Sequence, residues 1–507
     1  MQEEALTTDE MRVLELNSEY LGISLGTLMQ NAGREIAREI IKRSDVRSRK
    51  IVVLSGRGGN GGDGMVAAIH LHEVGASVKV CLLGSEDRIT SSDTRHNWAI
   101  LQNLDGIQKS EIKTESAVAS CKSIDDADII IDAMLGIGLG GNVREPIRSA
   151  VERTNASDAM VYSVDIPTGI DSDTGKIWGT VIKADATITM HAPKRGLGEA
   201  KEYTGEIVTV PIGIPPEADV ICGPGDLSLV AGPRPAHSHK GDYGRILVIG
   251  GSDVFSGAPA LCGLSALRTG ADLVEILAPN PVVPAIRSYN PSLIVHNLGT
   301  DVLLPDSLER AIKLAEKCDV IAIGPGLGLQ EETSRAVCEI LAALVEMGKR
   351  VVVDADGLKS IAGTFTSFNS EESVLTPHWG ELSVLLEKEL GNSKDLTNRI
   401  NYATEAADSY NSVILLKGHI DIVAEPGGRY KLNKTGTPAM TVGGTGDVLT
   451  GITAAFLARR RNAFTAACAS AFVSGIAGEK AFDDFGYHIL PTDCIERIPQ
   501  AIRSFNH

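Results

Sequence analysis

Short runs of Val, Ile and Leu that end in glycine or in an acid before glycine recur along the whole chain, and they constrain its fold more than any other feature. The clearest runs occupy residues 51–54, 127–132, 160–165, 245–249, 320–323 and 351–353. Such short apolar runs are typical of strands buried on both faces, and segments with helical spacing of apolar residues separate them. Strands that alternate with helices pair in parallel, so the sequence predicts an α/β fold.

The composition limits the size of the fold and its partners. A chain of 507 residues exceeds one ordinary domain, so two or three domains are expected. The 53 glycines and the low aromatic content of 4% suit strands that end in glycine turns. The formal net charge of −17 argues against non-specific binding to nucleic acid or to an anionic membrane. A phosphate-rich ligand therefore needs a local site of backbone amides and a few basic side chains.

One proline-dense region, residues 211–240, predicts a domain boundary, because dense prolines cannot continue a helix or a central strand. His237 and His239 lie in it, but no third metal ligand follows, so a solvated loop is favoured. The eight cysteines include no Cys-x-x-Cys pair, residues 1–6 carry no signal-peptide pattern, and no apolar run is long enough to span a bilayer. These features predict a cytoplasmic protein.

Polar residues follow three strands of the first half. Asn60 and Asp63 lie in a glycine-rich segment, residues 55–64, that joins a strand to a helix predicted at residues 65–74, and Asp132 and Asp165 end the two later strands. Alone, Asn60 and Asp63 are as compatible with a turn as with a binding site. Loops that follow parallel strands emerge at one edge of the sheet, however, so their convergence favours a ligand site.

A second glycine-rich stretch, residues 435–449, predicts an anion site. Gly443, Gly444 and Gly446 precede a segment with helical spacing, and the free amides of a helix N-terminus bind phosphate. An acid there, Asp447, suits a base that takes a proton from a hydroxyl attacking phosphorus. The alternative is that Asp447 caps the helix. Lys417 at a strand end is a candidate phosphate ligand.

Two further acids of the second half, Asp354 and Asp356, are candidates to hold a hydrated Mg²⁺. Two of the assignments in the second half have purely structural alternatives. Lys417 is also compatible with a solvated strand end, and Asp356 with the glycine after it is also compatible with a turn.

The complete string at residues 435–447 resembles the anion hole and catalytic aspartate of ribokinase-like enzymes, specifically of the dehydratase domain of the bifunctional NAD(P)H-hydrate repair enzymes. The loops of the first half resemble the NAD(P)H-hydrate epimerase domain of the same family. The resemblance implies an α/β protein with an N-terminal Rossmann-like three-layer domain, residues 1–216, followed by a ribokinase-like α/β domain, residues 226–507. It implies that the R and S forms of hydrated NADH and NADPH are interconverted, and that the S form is dehydrated with ADP, releasing AMP and phosphate.

In the first half, the resemblance implies that the hydrated nucleotide contacts Asp165 and two loops. The loop residues are Gly59, Asn60, Gly61, Gly62, Asp63, Gly136, Ile137, Gly138, Leu139, Gly140, Gly141 and Asn142. It also implies that Asn60, Asp132 and Thr168 bind K⁺, and their oxygen ligands suit a hard cation. The hydroxyl of the hydrated ring lies on the carbon next to nitrogen, so inversion needs acid–base help, for which Asp165 is the candidate.

In the second half, the resemblance implies that Asp447 is the catalytic base and that ADP and Mg²⁺ take part. The implied contacts of the hydrated substrate are Ala258, Gly326, His378 and Asp447. The implied contacts of the nucleotide are Lys417, Gly418, His419, Ile420, Asp421, Gly443, Gly444, Thr445 and Gly446.

Four positions depart from the usual family pattern. Gly59 replaces an asparagine, Ile137 a threonine, Trp379 a proline and Ala439 a glycine. Two other functions fit parts of the chain: a ribokinase-like kinase of a vitamin precursor, and a first half that only binds or scaffolds. The expected partners are the hydrated dinucleotides and ADP, with no nucleic acid or membrane, and a homo-oligomer is expected.

Overall fold

The chain folds into two compact units in a computed structural model that describes residues 5–459 and 461–505. The first unit comprises Met1–Ala218 and the second Asp219–His507, so the division falls in the proline-dense region. Part of the segment without a signal-peptide pattern, residues 1–4, lies outside the described residues. Among the described residues, none of the helices combines the length and the apolar character needed to cross a bilayer.

The first unit is built on a parallel sheet of seven strands, counted over the described residues, in the order β3-β2-β1-β4-β5-β6-β7. The strands are β1 (Lys50–Ser55), β2 (Ser77–Leu83), β3 (Gln108–Ile112), β4 (Ile129–Ala133), β5 (Met160–Val164), β6 (Ala186–Met190) and β7 (Glu206–Val210). The helices are α1 (Thr8–Tyr20), α2 (Leu25–Arg43), α3 (Gly59–Glu73), α4 (Ser92–Gln102), α5 (Glu115–Ala119), α6 (Lys122–Asp125), α7 (Ile147–Asn155), α8 (Arg195–Glu199) and α9 (Lys201–Thr204), with α10 (Glu217–Val220) at the division.

Both faces of this sheet are buried. Alternate residues of β1 point to opposite sides: Ile51 and Val53 join one apolar cluster, and Val52 and Leu54 join another. Helix α2 contributes to the first cluster and α7 to the second, which confirms the predicted three-layer arrangement.

The second unit is built on a sheet of nine strands, counted within the described part of the chain, in the order β10-β9-β8-β11-β12-β13-β14-β15-β16. The strands are β8 (Arg245–Ile249), β9 (Leu273–Ala278), β10 (Ile294–Asn297), β11 (Val320–Ile323), β12 (Arg350–Val353), β13 (Ser373–Leu375), β14 (Val413–Leu416), β15 (Asp421–Ala424) and β16 (Tyr430–Asn433). The helices are α11 (Pro224–Val230), α12 (Gly257–Thr269), α13 (Val283–Tyr289), α14 (Leu308–Ala315), α15 (Glu331–Glu346), α16 (Asp356–Ile361), α17 (Trp379–Leu385), α18 (Leu396–Tyr410), α19 (Thr445–Leu457), α20 (Ala463–Phe485) and α21 (Pro491–Arg503).

Two local features differ from the sequence prediction. The glycine-rich segment after β1 is not a loop throughout, because α3 begins at Gly59 and not at residue 65. Two of its glycines pack where no side chain fits: a Cβ at Gly62 would lie 2.5 Å from the Met29 sulfur, and one at Gly64 would lie 2.5 Å from the Ala133 Cβ. The last two strands pair antiparallel, as β14-β15-β16, where only parallel pairing was expected.

Candidate active sites

In the first unit, the loops after β1 and β4 meet where the strand order reverses direction. The Gly56 amide donates a hydrogen bond to the Ala133 carbonyl at 2.9 Å, and a Cβ at Gly56 would overlap the Met134 carbonyl oxygen. Only glycine permits this approach. Such a reversal at the carboxyl edge of a parallel sheet is where ligands bind in open α/β folds.

The predicted potassium ligands lie together at this edge. Thr168 donates to the Asp132 carboxylate from its amide at 2.8 Å and from its hydroxyl at 2.6 Å, and Ser163 adds a third hydrogen bond at 2.9 Å. The same Thr168 hydroxyl accepts the Leu135 amide at 3.0 Å. Burial raises the pKa of Asp132, and the hydrogen bonds from Thr168 and Ser163 offset part of that effect.

Asn60 lies beside this group and lacks partners. A Cβ at Gly136, next to Leu135, would lie 3.1 Å from the Asn60 Cβ. Both polar atoms of the Asn60 side chain are buried without a hydrogen-bond partner among the described residues. Buried polar atoms are rarely left unpaired, so this amide points to a ligand. An unpaired amide oxygen and a carboxylate without a basic partner among the described residues fit a hard monovalent cation.

Asp165 adopts a left-handed backbone conformation, φ 65°, directly after β5. Its carboxylate accepts hydrogen bonds from the Lys194 ammonium, from the Thr189 hydroxyl at 3.1 Å and from the Met190 amide at 3.3 Å. Lys194 is itself fully buried, and its ammonium also donates to the Met190 carbonyl at 2.9 Å. A strained backbone and a buried ion pair together hold the carboxylate in one position.

A cavity of about 210 Å³ adjoins this pair. Gly59, Asp63, Ile137 and Asp165 line it, and these are four of the predicted contacts of the hydrated nucleotide. The other glycines of the first loop pack inward: a Cβ at Gly61 would overlap the Gly56 carbonyl oxygen. Burial raises the pKa of Asp63 well above its usual range, and repulsion by Asp165 and Glu15 adds to the effect.

In the second unit, the glycine-rich stretch forms a short 3₁₀ helix, Pro438–Thr441, followed by the start of α19. Gly444 is the N-cap, with φ 103°, and offers no side-chain hydrogen bond to the first turn. Asp447 is therefore the third residue of the helix, and the alternative that it caps the helix is wrong. The uncapped amides of Thr445, Gly446 and Asp447 face the same end of the helix, as an anion site requires.

Lys417 lies directly beside this turn. A Cβ at Gly446 would be 3.4 Å from the Lys417 ammonium, which donates a hydrogen bond to Asp354 at 2.8 Å. Burial alone would raise the pKa of Asp354, but the charge and hydrogen bond of Lys417 outweigh it, so this pKa is lowered. Burial likewise tends to lower the pKa of Lys417, yet the charges of Asp354 and Glu381 raise it. Lys417 is thus a charged, half-buried partner of the loop and not a solvated strand end.

Asp447 has the titration expected of a general base. Burial, followed by repulsion from Asp354, raises the pKa of Asp447 to about 7, and the Lys417 charge opposes the shift. A base that titrates near the working pH accepts protons efficiently and still ionises.

The two candidate magnesium ligands, Asp354 and Asp356, both have protein partners in the structure. The Asp354 oxygens already accept hydrogen bonds from Lys417 at 2.8 Å and from the Thr450 hydroxyl at 2.7 Å. The Asp356 carboxylate accepts the Gly328 amide at 2.9 Å and the Lys359 ammonium at 3.2 Å. No group of three or more His, Cys, Asp or Glu side chains suited to a metal occurs in residues 5–459 and 461–505.

The predicted nucleotide loop after β14 is held by buried polar groups. The Asp421 carboxylate accepts the Gly418 amide and the Asn433 side-chain amide, both at 2.9 Å. The buried Arg399 donates to the Lys417 carbonyl at 3.3 Å, and its Nη1 is buried without a partner among the described residues. Burial lowers the pKa of Arg399.

Two of the predicted substrate positions, Ala258 in the first turn of α12 and Gly326 in the loop after β11, lie close together in the second unit. A Cβ at Gly326, whose φ is 67°, would lie 3.3 Å from the Ala258 Cβ. His378 is the N-cap of α17, and its Nδ1 accepts the Gly380 and Glu381 amides at 3.0 and 3.2 Å. Trp379 is the first residue of that helix, the position at which proline is favoured because its missing N–H costs nothing there. The usual proline and this tryptophan therefore suit the same place.

Known proteins match both units in the same order. Residues 25–196 match the family model described as the YjeF-related protein N-terminus, and residues 246–500 match that described as NAD(P)H-hydrate dehydratase. The bifunctional NAD(P)H-hydrate repair enzyme Nnr of Pyrobaculum aerophilum is 43% identical over 99% of each chain. The enzyme of the same name from Hyperthermus butylicus is 42% identical over 99% of this chain and 92% of its own. The chain belongs to the bifunctional NAD(P)H-hydrate repair enzymes.

A solved structure supports the fold of the second unit of this repair enzyme. The ADP/ATP-dependent NAD(P)H-hydrate dehydratase of Bacillus subtilis, crystallised with ATP and Mg²⁺, is 28% identical with a TM-score of 0.50. The match covers 57% of this chain and 99% of that one. The predicted ribokinase-like fold is thus confirmed.

Four residues that adjoin the candidate sites were not found from the sequence: Glu15, Lys194, Arg399 and Thr450. Lys194 reaches Asp165 across 29 positions, and Thr450 reaches Asp354 across 96. Only Thr450 carried a local signal, since it lies one turn after Gly446 on the same helix. Glu15 and Arg399 lie in segments without glycine-rich motifs, and the glycines that follow Lys194, Gly196 and Gly198, were not among the motifs identified from the sequence.

Proposed function

We propose that this protein repairs hydrated NADH and NADPH with two active sites. Residues 1–216 interconvert the R and S epimers, and residues 226–507 dehydrate the S epimer with ADP. Membership of the bifunctional repair family supports both activities, and the two matched segments, 25–196 and 246–500, lie inside these bounds. The single observation that carries the dehydratase is Asp447, a carboxylate with a pKa of about 7 in the uncapped first turn of α19.

The phosphoryl donor lies with its terminal phosphate over Gly443, Gly444, Thr445 and Gly446. Main-chain amides and the helix dipole offset the phosphate charge, and the Lys417 ammonium beside Gly446 adds a full positive charge. Residues 417–421 hold the rest of the nucleotide, with Arg399 beneath them. ADP is proposed as the donor because the B. subtilis relative is named as ADP/ATP-dependent.

Asp447 then removes the proton from the ring hydroxyl as the hydroxyl oxygen attacks phosphorus. The bond between the β-phosphorus and its bridging oxygen breaks, and AMP leaves. The lone pair of the neighbouring ring nitrogen expels the phosphorylated oxygen as inorganic phosphate. Loss of a proton from the adjacent ring carbon completes NAD(P)H. Ala258, Gly326 and His378 are proposed to position the ring.

In the first unit, Asp165 is the proposed acid–base residue for inversion of the hydrated carbon. Lys194 is its positioning residue, because its buried ammonium balances the carboxylate and fixes its direction. The hydrated ring occupies the adjoining cavity, between Gly59, Asp63 and Ile137. The loop at residues 138–142 completes the contact with the rest of the nucleotide.

Two cations are proposed. K⁺ would be held by Asn60, Asp132 and Thr168, where its charge offsets the buried carboxylate and fixes the loops that meet at the sheet edge. Mg²⁺ would enter with the nucleotide, since Mg²⁺ is usually held by one or two carboxylates together with substrate phosphates. Asp356 is the candidate carboxylate, because its contact with an ammonium is the longer one, 3.2 Å from Lys359, whereas Lys417 lies 2.8 Å from Asp354.

The experiment that tests the proposal mixes the purified protein with both epimers of hydrated NADH, with and without ADP. We expect reduced-nicotinamide absorbance to return only with ADP, and both epimers to be consumed. Asp447→Asn is expected to abolish this return while epimerisation continues, and Asp165→Asn is expected to leave the R epimer unused. A stable phosphorylated product, seen by phosphorus NMR, would instead favour the kinase.

The proposed partners are the hydrated dinucleotides and ADP. A homo-oligomer is also proposed, because large apolar side chains are exposed in the second unit: Phe255 is 54% and Leu329 is 54% exposed. Light scattering of the purified protein measures its mass.

A further inference from the structure

Glu15 lies on α1, outside every motif of the sequence, yet it lines the first-unit cavity together with Asp63 and Asp165. Helix α1 is fixed by a capping box, in which the Thr7 side chain accepts the Glu10 amide at 3.2 Å and the Glu10 carboxylate accepts the Thr7 amide at 2.8 Å. Met11, one turn before Glu15, lines the same cavity. The helix face that carries Glu15 therefore forms one wall of the candidate epimerase site.

The cavity contains more carboxyl groups than positive charges. Glu15, Asp63, Asp93 and Asp165 line it, against the single ammonium of Lys194 among the described lining residues. That ammonium already donates hydrogen bonds to the Asp165 carboxylate and to two backbone carbonyls.

Glu15 and Asp63 accept no hydrogen bond from any residue in the described part of the chain, and Arg12, whose charge also acts on Glu15, is exposed on the same helix. Asp63 is buried and Glu15 is half-buried, and carboxyl groups removed from water without partners are costly, so they retain protons or serve a ligand.

The size of the cavity indicates what occupies it. Pockets that take a whole drug-sized ligand measure roughly 300–1,000 Å³. At about 210 Å³ the cavity accommodates a hydrated pyridine ring but not an entire dinucleotide. Apolar walls from Met11, Leu28 and Met29 suit the ring carbons, and the carboxyl groups then lie within reach of its polar atoms.

We propose that Glu15 is a second catalytic residue of the epimerase, exchanging a proton with the ring nitrogen while Asp165 exchanges one with the ring hydroxyl. This inference rests on the proposed epimerase function of the first unit. Asp165 takes the hydroxyl proton, the oxygen lone pair forms a carbonyl, and the carbon–nitrogen bond breaks. The bonding pair goes to nitrogen, which takes the proton of Glu15. Rotation presents the other face of the carbonyl, and the reverse steps close the ring and return both protons.

Glu15 is better suited to this role than Asp63. Burial, followed by repulsion from Asp165, raises the pKa of Glu15 to about 7, with Lys194 and Arg12 opposing the shift. A group with that pKa both releases and regains a proton near neutral pH. Asp63 is more deeply buried, and its pKa is raised well above its usual range by burial and by repulsion from Asp165 and Glu15.

The test follows conversion of the purified R epimer to the S epimer without ADP, by chromatography, between pH 6 and pH 9. We expect Glu15→Gln to lower the rate by about 100-fold or more, since general acid–base catalysis contributes roughly 10²–10⁴. The wild-type rate is expected to fall above about pH 7 as Glu15 loses its proton, and Glu15→Gln to lack that fall. Glu19→Gln, one turn along α1 and exposed, is the matched control and is expected to keep the wild-type rate and profile.

Each outcome separates the two levels of the proposal. If the wild type does not epimerise, the proposed function of the first unit fails. If the wild type epimerises and Glu15→Gln keeps its rate and its alkaline fall, the inference about Glu15 is wrong. Circular dichroism and ADP-dependent dehydration of the S epimer check that each variant is folded. If Glu15→Gln does not fold, Glu15→Asp is expected to epimerise slowly with the alkaline fall displaced, and an unchanged Glu15→Asp contradicts the inference.

Discussion

The pH dependence of dehydration follows from the surroundings of Asp447. The carboxylate must be ionised to accept the hydroxyl proton, and its pKa is about 7. About one-tenth of the free enzyme is then active at pH 6 and about nine-tenths at pH 8, so kcat/KM rises about tenfold between them. The sign is set by the role: a base gains activity as the pH rises through its pKa.

Replacing Lys417 is expected to move the pH dependence of kcat/KM for dehydration to higher pH. Lys417→Met removes the ammonium that lowers the pKa of Asp447, so the rise is expected to shift to higher pH and the rate at pH 7 to fall. Lys388→Met is the control, because Lys388 pairs with Glu405 at an exposed site, 2.6 Å away, and its loss leaves the profile unchanged.

The assay measures initial rates of reduced-nicotinamide formation from the purified S epimer over a range of ADP concentrations, in overlapping buffers from pH 5.5 to pH 9. A kcat/KM that stays constant or falls between pH 6 and pH 8 would refute the assignment of Asp447 as the base. A wild-type profile in Lys417→Met would refute the electrostatic coupling.

Three further predictions concern the first unit. Gly56→Ala forces a Cβ into a main-chain carbonyl oxygen and is expected to lower the melting temperature strongly, whereas Gly58→Ala, with open space around it, changes the melting temperature little. Lys194→Met leaves Asp165 buried without its cation, so it is expected to lower the free energy of unfolding, measured in urea, by about 3–5 kcal/mol. Adding Asp165→Asn removes the unpaired charge and is expected to restore part of that free energy. A potassium salt is expected to raise the melting temperature of the wild type relative to a choline salt of equal ionic strength. Asn60→Leu is expected to show no such increase. An equal increase in the wild type and in Asn60→Leu would contradict the cation site.

Local sequence signals predicted most of the architecture. The strands were recognisable because runs such as residues 246–249 and 320–323 are apolar throughout and are followed by glycine, as is typical of strands buried on both faces. The N-terminus of α19 was recognisable because the glycines and the acid that form it lie within a few positions of each other. Such features can be predicted from the short stretch of sequence that forms them.

Features that depend on tertiary packing were not predictable in this way. Six residues with four glycines, 59–64, favour a loop by propensity, yet contacts with α2, α4 and β4 make them the start of α3. Glu15 and Asp165 line the same cavity although 150 positions separate them in the sequence. Arg399 donates a hydrogen bond to the Lys417 carbonyl from a neighbouring helix. The pKa values of these side chains shift only when the fold removes the side chains from water and places them beside other charged groups.

The fate of the ring oxygen tests the central claim most directly. Hydrated NADH labelled with oxygen-18 in the ring hydroxyl is dehydrated with ADP by the purified protein, and the released phosphate and water are examined by mass spectrometry. If Asp447 directs that oxygen onto phosphorus, one labelled oxygen appears in each phosphate, and AMP forms in equal amount with NADH. Label found in water, with unlabelled phosphate, would contradict phosphoryl transfer to the substrate.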